Sequence, residues 1–230
     1  MTRERGPGFP RRDRTSRATE SLLAVAALAL GVAACGLELA PPGPPPLPHE
    51  LKLLLTESQL RFVAIQNGEL AVAGSLRPLA GALDTVHRTA WIELALASVD
   101  TGDSERDENL RDHVFEVEKF PSARIVVTAA EITRGPPDAS APPAIGEAIE
   151  VDVRADLELR GGRYPIEAEL RITREAAGRV RVATRAPVLF SARSTGLAAG
   201  FTLLEVVGRI ESVSRVVPVE VDLVFQAPAS

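Results

Sequence analysis

The sequence predicts an all-β domain, an up-and-down barrel of about eight antiparallel strands. Three observations carry that expectation. Apolar and charged residues alternate with a period of two through most of the chain after residue 50, as in strands with one buried and one wet face. Short turn-forming pairs join successive runs, so neighbours in sequence become neighbours in the sheet. Charge recurs along one side of nearly every run, and closing such a sheet leaves no free edge. A two-sheet sandwich fits the same pattern and stays open as the alternative.

Ahead of the domain, residues 1–34 read as a signal peptide. Arg3, Arg5, Arg11, Arg12, Arg14 and Arg17 form a basic leader, followed by the uncharged run SLLAVAALALGVAAC, Ser21 to Cys35. That run is short for a bilayer and ends in small residues. Cys35 is the one cysteine of the chain, and VAAC resembles the lipobox of bacterial lipoproteins, whose cysteine is diacylated and becomes the mature N-terminus. An ordinary cleavage site beside a cysteine is the other reading. Arg11 and Arg12 lack the following residues that a twin-arginine signal needs. Gly36 stands where an acidic residue would retain a lipoprotein at the inner membrane, which favours the outer one. The chain is therefore expected to be exported to a bacterial envelope and to meet the membrane, facing the periplasm, through a lipid anchor. With one cysteine, disulfide chemistry is excluded.

Residues 35–50 hold the tract PPGPPPLP, Pro41 to Pro48. Such a tract is stiff and rises about 3.1 Å per residue, so it reads as a stalk; a proline-rich recognition ligand is the alternative. Residues 1–34 hold six arginines and three acidic residues, so their removal takes the formal charge from −5 to −8. No basic patch remains to bind phosphate backbones, and nucleic acid is excluded as a partner.

The barrel domain is expected over residues 51–227. LRFVAI and ELAVAGSL flank Asn67-Gly68, the strongest short hairpin signal. TAWIELALASV alternates through Ile92, Leu94 and Leu96, and ARIVVTAAEI follows a charged segment. A proline-rich loop, Arg134 to Gly146, leads to VDVRADLELR, with Val151, Val153, Ala155, Leu157 and Leu159 on one side. Gly161-Gly162 is expected to turn the chain into RYPIEAELRIT, whose apolar side is Tyr164, Ile166, Ala168, Leu170 and Ile172. GRVRVATRAPVLF and VVPVEVDLVF supply the last strands. Between them STGLAAGFTLLEVVG, Ser194 to Gly208, reads as a short helix or a lid over one barrel mouth.

The charged segment RDENLRDHVFEVEKFP, Arg106 to Pro121, interrupts this grammar. Ser104 and Asp107 are spaced as a capping box, predicting a short helix from Glu105 after the third strand. Leu110 and Val114 fall on one face, and Pro121 is expected to end the element. The segment would plug or flank the barrel between two strands.

Ser98 to Ile132 resembles the signature stretch of the YceI-like family. It has a strand ending in Ser-x-x-Thr (Ser98, Thr101) and an Arg-Asp…Leu-Arg helix (Arg106, Asp107, Leu110, Arg111). A Phe-x-Val-x-Lys-aromatic-Pro exit follows (Phe115, Val117, Lys119, Phe120, Pro121). GSLRPLAGAL is similar to an earlier family strand, with Leu76 in its aromatic position, and VRADLELRGGRYPIEAEL to a later hairpin, with Ala155 replacing the first Gly. FSARSTGL fits a later Ser-x-x-x-x-Gly element loosely. IQNG stands where many members carry a His in the first strand. The likeness spans about Leu51 to Phe225.

The resemblance implies an exported, lipocalin-like, eight-stranded antiparallel barrel that binds a long isoprenoid chain in its interior. Eight strands enclose room for one small ligand. The pocket candidates are then the apolar set of the alternating strands: Leu60, Phe62, Ile92, Leu94, Leu96, Ile125, Val127, Leu157, Leu159, Ile166, Leu170, Val221, Leu223 and Phe225. Arg106, Asp107, Leu110 and Arg111 read as a structural motif rather than a catalytic cluster.

No nucleophile elbow, HExxH or paired cysteine is present. His49 on the stalk, His87 in a loop and His113 in the helix have no ligand-set spacing. His113 beside Asp112 could act as a base; a surface helix His is the simpler reading. The chain is accordingly read as no enzyme, with no metal and no cofactor beyond a bound isoprenoid or other amphiphile. Two functions remain: a lipid-anchored carrier of an apolar molecule, or a passive envelope module with a filled barrel. Cavity volume separates them.

Overall fold

The alternating runs fold into an antiparallel ring. The computed structural model describes residues 47–135 and 143–228. The leader, Cys35, the stalk up to residue 46 and residues 136–142 of the proline-rich loop lie outside the described residues.

Eleven strands are present among the described residues: β1 (Glu50–Leu53), β2 (Gln59–Gln66), β3 (Leu70–Asp84), β4 (Thr89–Asp100), β5 (Ser122–Val127), β6 (Ile132–Arg134), β7 (Ala148–Leu159), β8 (Gly162–Ala176), β9 (Arg179–Thr184), β10 (Val188–Ser191) and β11 (Val216–Gln226). Eight of them close a ring in the order β11-β2-β3-β4-β5-β7-β8-β9, with β9 pairing back to β11. These are the eight runs expected from the alternation. The short β1 bridges β3 and β11, β6 adds to β7, and β10 adds to β11.

Register explains why the inside is apolar. Ile92 pairs with Ile125, Ile125 with Leu157, and Leu157 with Tyr164, so one layer of apolar side chains crosses four strands. On the other face Arg154 meets Glu167 at 2.9 Å and Arg171 meets Glu150 at 3.1 Å, each from directly opposed strand positions. Exposed pairs of this kind contribute up to about 1 kcal/mol each; their larger role is to fix which face is wet. A transmembrane barrel carries its apolar band outside, and this ring is built the other way round.

Two turns show how the backbone sets the register. Asn67 and Gly68 are both left-handed (φ 53° and 77°), and the Asn67 Oδ1 accepts hydrogen bonds from the Glu211 and Ser212 amides. At the other hairpin the turn is Arg160-Gly161 (φ 49° and 76°), because Leu159 pairs with Gly162. The expected Gly161-Gly162 turn is therefore one residue late. Within the strand this position needs glycine, because the Tyr164 ring lies where a Cβ at Gly162 would stand.

Helix α1 (Ser104–Asn109) follows β4, as expected, and runs on into a π-helical turn over Leu110–Phe115. Its cap differs from the expected capping box. Asp103, not Ser104, is the N-cap and accepts from the Arg106 amide at 2.9 Å, since aspartate caps as well as serine and its neighbour already has helical geometry. Pro121 does not end the element either: Glu116, left-handed at φ 52°, does so five residues earlier. Helix α2 (Ala198–Val207) packs on the π turn. Contact is close because α2 presents Gly200, where a Cβ would lie 2.7 Å from the His113 carbonyl oxygen. The helix reading of Ser194–Gly208 thus holds, and α2 and the π turn together cover one end of the ring.

The core divides accordingly. One buried cluster, around Leu94, Leu96, Val114, Leu157 and Phe201, lies at the helical end. A second, around Leu51, Ile92, Val180, Leu223 and Phe225, lies toward the end where the chain enters.

Candidate ligand-binding interior

Two apolar chambers lie inside the ring. The first, about 310 Å³, sits under α1 and α2, and the second, about 1130 Å³, opens at the opposite end. Ile125, Ile166, Val188 and Val221 line both, so these four side chains form the partition where the chambers adjoin.

The fourteen pocket candidates distribute between the two. Leu60, Phe62, Leu94, Leu96, Leu157 and Leu159 line the helical-end chamber. Ile92, Val127, Leu170, Leu223 and Phe225 line the open one. Ile125, Ile166 and Val221 belong to the partition. Room beside Phe62 comes from Gly74, its partner on β3: a Cβ there would lie 2.3 Å from the ring.

Other lining residues were missed. Val151, Val153 and Ala168 line the open chamber; they belong to the same alternating sets as Leu157 and Ile166, and that periodicity was the signal that could have found them. Phe190, Phe201, Leu204 and Val213 close the helical-end chamber. They sit on β10, on α2 and in the following loop, where period two gives no guidance.

Charged groups are confined to the two ends. At the helical end Gln66, Thr101, Asp103, Arg106 and Asn109 edge the smaller chamber. At the open end His49, Asp84, Thr85, Arg88 and Arg134 edge the larger. The His87 ring, 2.7 Å from the Asp84 carboxylate, holds that carboxyl below its ordinary range. Between the rims the walls are Val, Leu, Ile, Ala and Phe with Thr184, whose hydroxyl is bonded to the Val221 backbone, a lining that favours a ligand with a long apolar body.

The signature residues hold the helical end together. Asp107 is buried, and its Oδ1 accepts from the Thr101 amide at 2.9 Å and the Thr101 hydroxyl at 2.7 Å. Ser98 repairs a bulge between β3 and β4: its hydroxyl donates to the Ala95 carbonyl at 2.6 Å and accepts from the Arg77 amide at 2.8 Å. The Arg111 Nε donates to the Ala97 carbonyl at 3.1 Å. Leu110 and Val114 are buried in the adjoining core. Arg106 lies 3.7 Å from the Asp103 carboxylate, partly exposed at the chamber edge. Beyond the π turn, Arg160 pairs with Glu116 and lies over the Phe120 ring. These contacts place the helix on the barrel. Among the described residues no group of three or more His, Cys, Asp or Glu side chains could hold a metal ion.

A family model described as the YceI-like domain matches residues 52–225. Among solved structures, a polyisoprenoid binding domain from Saccharophagus degradans, implicated in plant cell wall breakdown, is 30% identical. That likeness covers 78% of this chain and 99% of that one, with a TM-score of 0.70. BcnA of Burkholderia cenocepacia is 15% identical over 75% of this chain and 98% of its own, with a TM-score of 0.51, a likeness of fold alone. No curated protein matches the chain.

Proposed function

The chain belongs to the YceI-like family, and from that premise we propose that it is an exported, lipid-anchored carrier holding one long apolar molecule of the isoprenoid class inside its barrel. The observation that carries this reading is the open chamber of about 1130 Å³, larger than the few hundred Å³ that suffice for a small ligand. Its walls of Val, Leu, Ile and Phe are a concave apolar surface that a ligand with a long apolar body would cover. The name of the Saccharophagus domain, a polyisoprenoid binder, supports the ligand class.

The mechanism is burial. A long isoprenoid has almost no solubility in water, and each Å² of its surface removed from water stabilises the complex by about 25 cal/mol. The terminal polar group would stay at a rim, where the polar side chains are. Binding is reversible without chemistry, so the chain acts as a sequestering or ferrying protein and not as an enzyme. Cys35 would carry the anchor and residues 1–34 would be removed, leaving the domain tethered at the periplasmic side of the envelope, on the outer membrane by the Gly36 argument.

The passive-module reading requires a filled barrel, and the chamber volumes speak against it. The test is organic extraction of the full-length protein purified from its native membrane. Recovery of a long-chain isoprenoid in near-stoichiometric amount is expected; an extract holding only the anchor's acyl chains and bulk phospholipid would refute the carrier reading.

A further inference from the structure

The two ends of the barrel differ in charge. Among the described residues, the lining of the open chamber holds two guanidiniums, Arg88 and Arg134, against one carboxylate, Asp84. The helical-end chamber has the opposite balance, two carboxylates, Asp103 and Glu105, against the guanidinium of Arg106. Arg106 already lies 3.7 Å from Asp103.

Topology brings the two open-end arginines to one margin. Arg88 closes the turn between β3 and β4, one residue before β4 begins at Thr89. Arg134 ends β6 and pairs with Asp152 in the first half of β7. Strands β4 and β7 both run from the open end toward the helices, so these positions stand at the open rim.

Neither cation is committed to the fold. Arg88 makes no ion pair among the described residues. Arg134 reaches Asp152 only at 3.8 Å, beyond hydrogen-bond distance, and its side chain stays 79% exposed. Asp84, by contrast, is taken up by its own turn. Its Oδ1 accepts from the Val86 and His87 amides at 2.9 and 2.8 Å, and its Oδ2 faces the His87 ring at 2.7 Å. The His49 imidazole lines the same rim and adds a nitrogen that can donate.

We propose that the ligand ends in an anionic group of the phosphate class, held at the open rim by Arg88 and Arg134, with its apolar tail running inward toward the partition. This rests on the carrier reading above and adds to it the headgroup chemistry and the orientation. A guanidinium fork matches two phosphate oxygens in geometry as well as charge, and the terminal oxygens of a phosphate can serve two such forks. At the other end the same anion would meet two carboxylates. Because the rim is open to water, the attraction is sensitive to salt.

The test is competition for the full-length protein in detergent between geranylgeranyl phosphate and geranylgeraniol, which share one chain and differ in the headgroup. Native mass spectrometry separates the two complexes by mass. The phosphate is expected to be preferred about tenfold at low salt, as for one charge-assisted contact, and less so at about 1 M salt. Arg88→Ala with Arg134→Ala should bring the preference close to parity while the alcohol still binds. Arg154→Ala with Arg171→Ala removes the same charge from the outer wall, where the partners are Glu167 and Glu150, and should leave the preference intact. Equal binding of phosphate and alcohol by the wild type would overturn the anionic headgroup and leave the carrier reading standing. A preference that survives in the rim variant, or falls as far in the outer-wall variant, would overturn the assignment to Arg88 and Arg134. A folded wild-type barrel that takes neither compound would overturn the carrier reading and this inference with it.

Discussion

The buried carboxylate of Asp107 accepts two hydrogen bonds from one residue, Thr101, at 2.9 Å from its amide and 2.7 Å from its hydroxyl. This contact fastens the first turn of α1 to the end of β4. It explains why an Arg-Asp pair in a charged segment is architecture: the aspartate is spent on a backbone amide, while Arg106 beside it makes only a 3.7 Å contact with Asp103.

Asp107→Ala should therefore lower stability by about 1–3 kcal/mol, because the Thr101 amide is left without its partner. Arg106→Ala should cost under about 1 kcal/mol, the range of an exposed ion pair. Denaturant unfolding of both variants checks the order; equal losses would contradict this division of roles.

Gly200→Ala should destabilise the helical end by about 1–3 kcal/mol, the range for overpacking, since the added Cβ would lie 2.7 Å from the His113 carbonyl oxygen and 2.9 Å from the Val114 Cα. Both neighbours are backbone and cannot swing aside. Thermal unfolding measures it, and hydrogen exchange should show faster opening of residues 110–115 and 198–207 before the strands.

Stability should fall on acidification. Hydrogen bonds from Arg181 and Arg179 hold the Glu175 carboxyl below its ordinary value of 4.5, and the Val213 amide, with Arg215, does the same for Glu205. A carboxylate with a lowered folded-state pKa stabilises the fold above its unfolded value and loses that contribution as pH falls through the folded one. The melting temperature should then be flat from neutral pH down to about 5 and decline below 4.5. Glu205→Gln should melt lower at pH 7 and show a shallower acid decline; an unchanged slope would remove Glu205 from the explanation.

Ile166→Trp should thicken the partition that Ile166 shares with Ile125, Val188 and Val221. A ligand long enough to occupy both chambers would then be displaced in favour of shorter chains. Competition between isoprenoids of different length reads this out, with the length preference expected to shift downward in the variant.

The ring was legible because period two persists over ten residues or more in strands such as β7, and each inward position there is apolar. Where local signals compete, the sequence misleads by a residue. Gly161-Gly162 looks like the turn, yet Gly162 pairs with Leu159 and the left-handed residues are Arg160 and Gly161. Asp103 and Ser104 are both good caps, and Asp107 is drawn to Thr101 rather than into a capping box. The π turn and the bulge at Ser98 have no sequence period at all; the first packs on α2 at Gly200 and the second is bridged by the Ser98 hydroxyl to Arg77. The inward set could be read from alternation, but the division into two chambers could not. It depends on which side chains of β5, β8, β10 and β11 reach the axis at one level.

Native mass spectrometry of the wild-type protein after exposure to a long-chain isoprenoid tests the carrier claim most directly. The account predicts one bound chain per barrel, released on unfolding, and reduced occupancy in Ala168→Trp, which fills the open chamber without adding charge. A folded wild-type barrel that stays empty under the same exposure would contradict it.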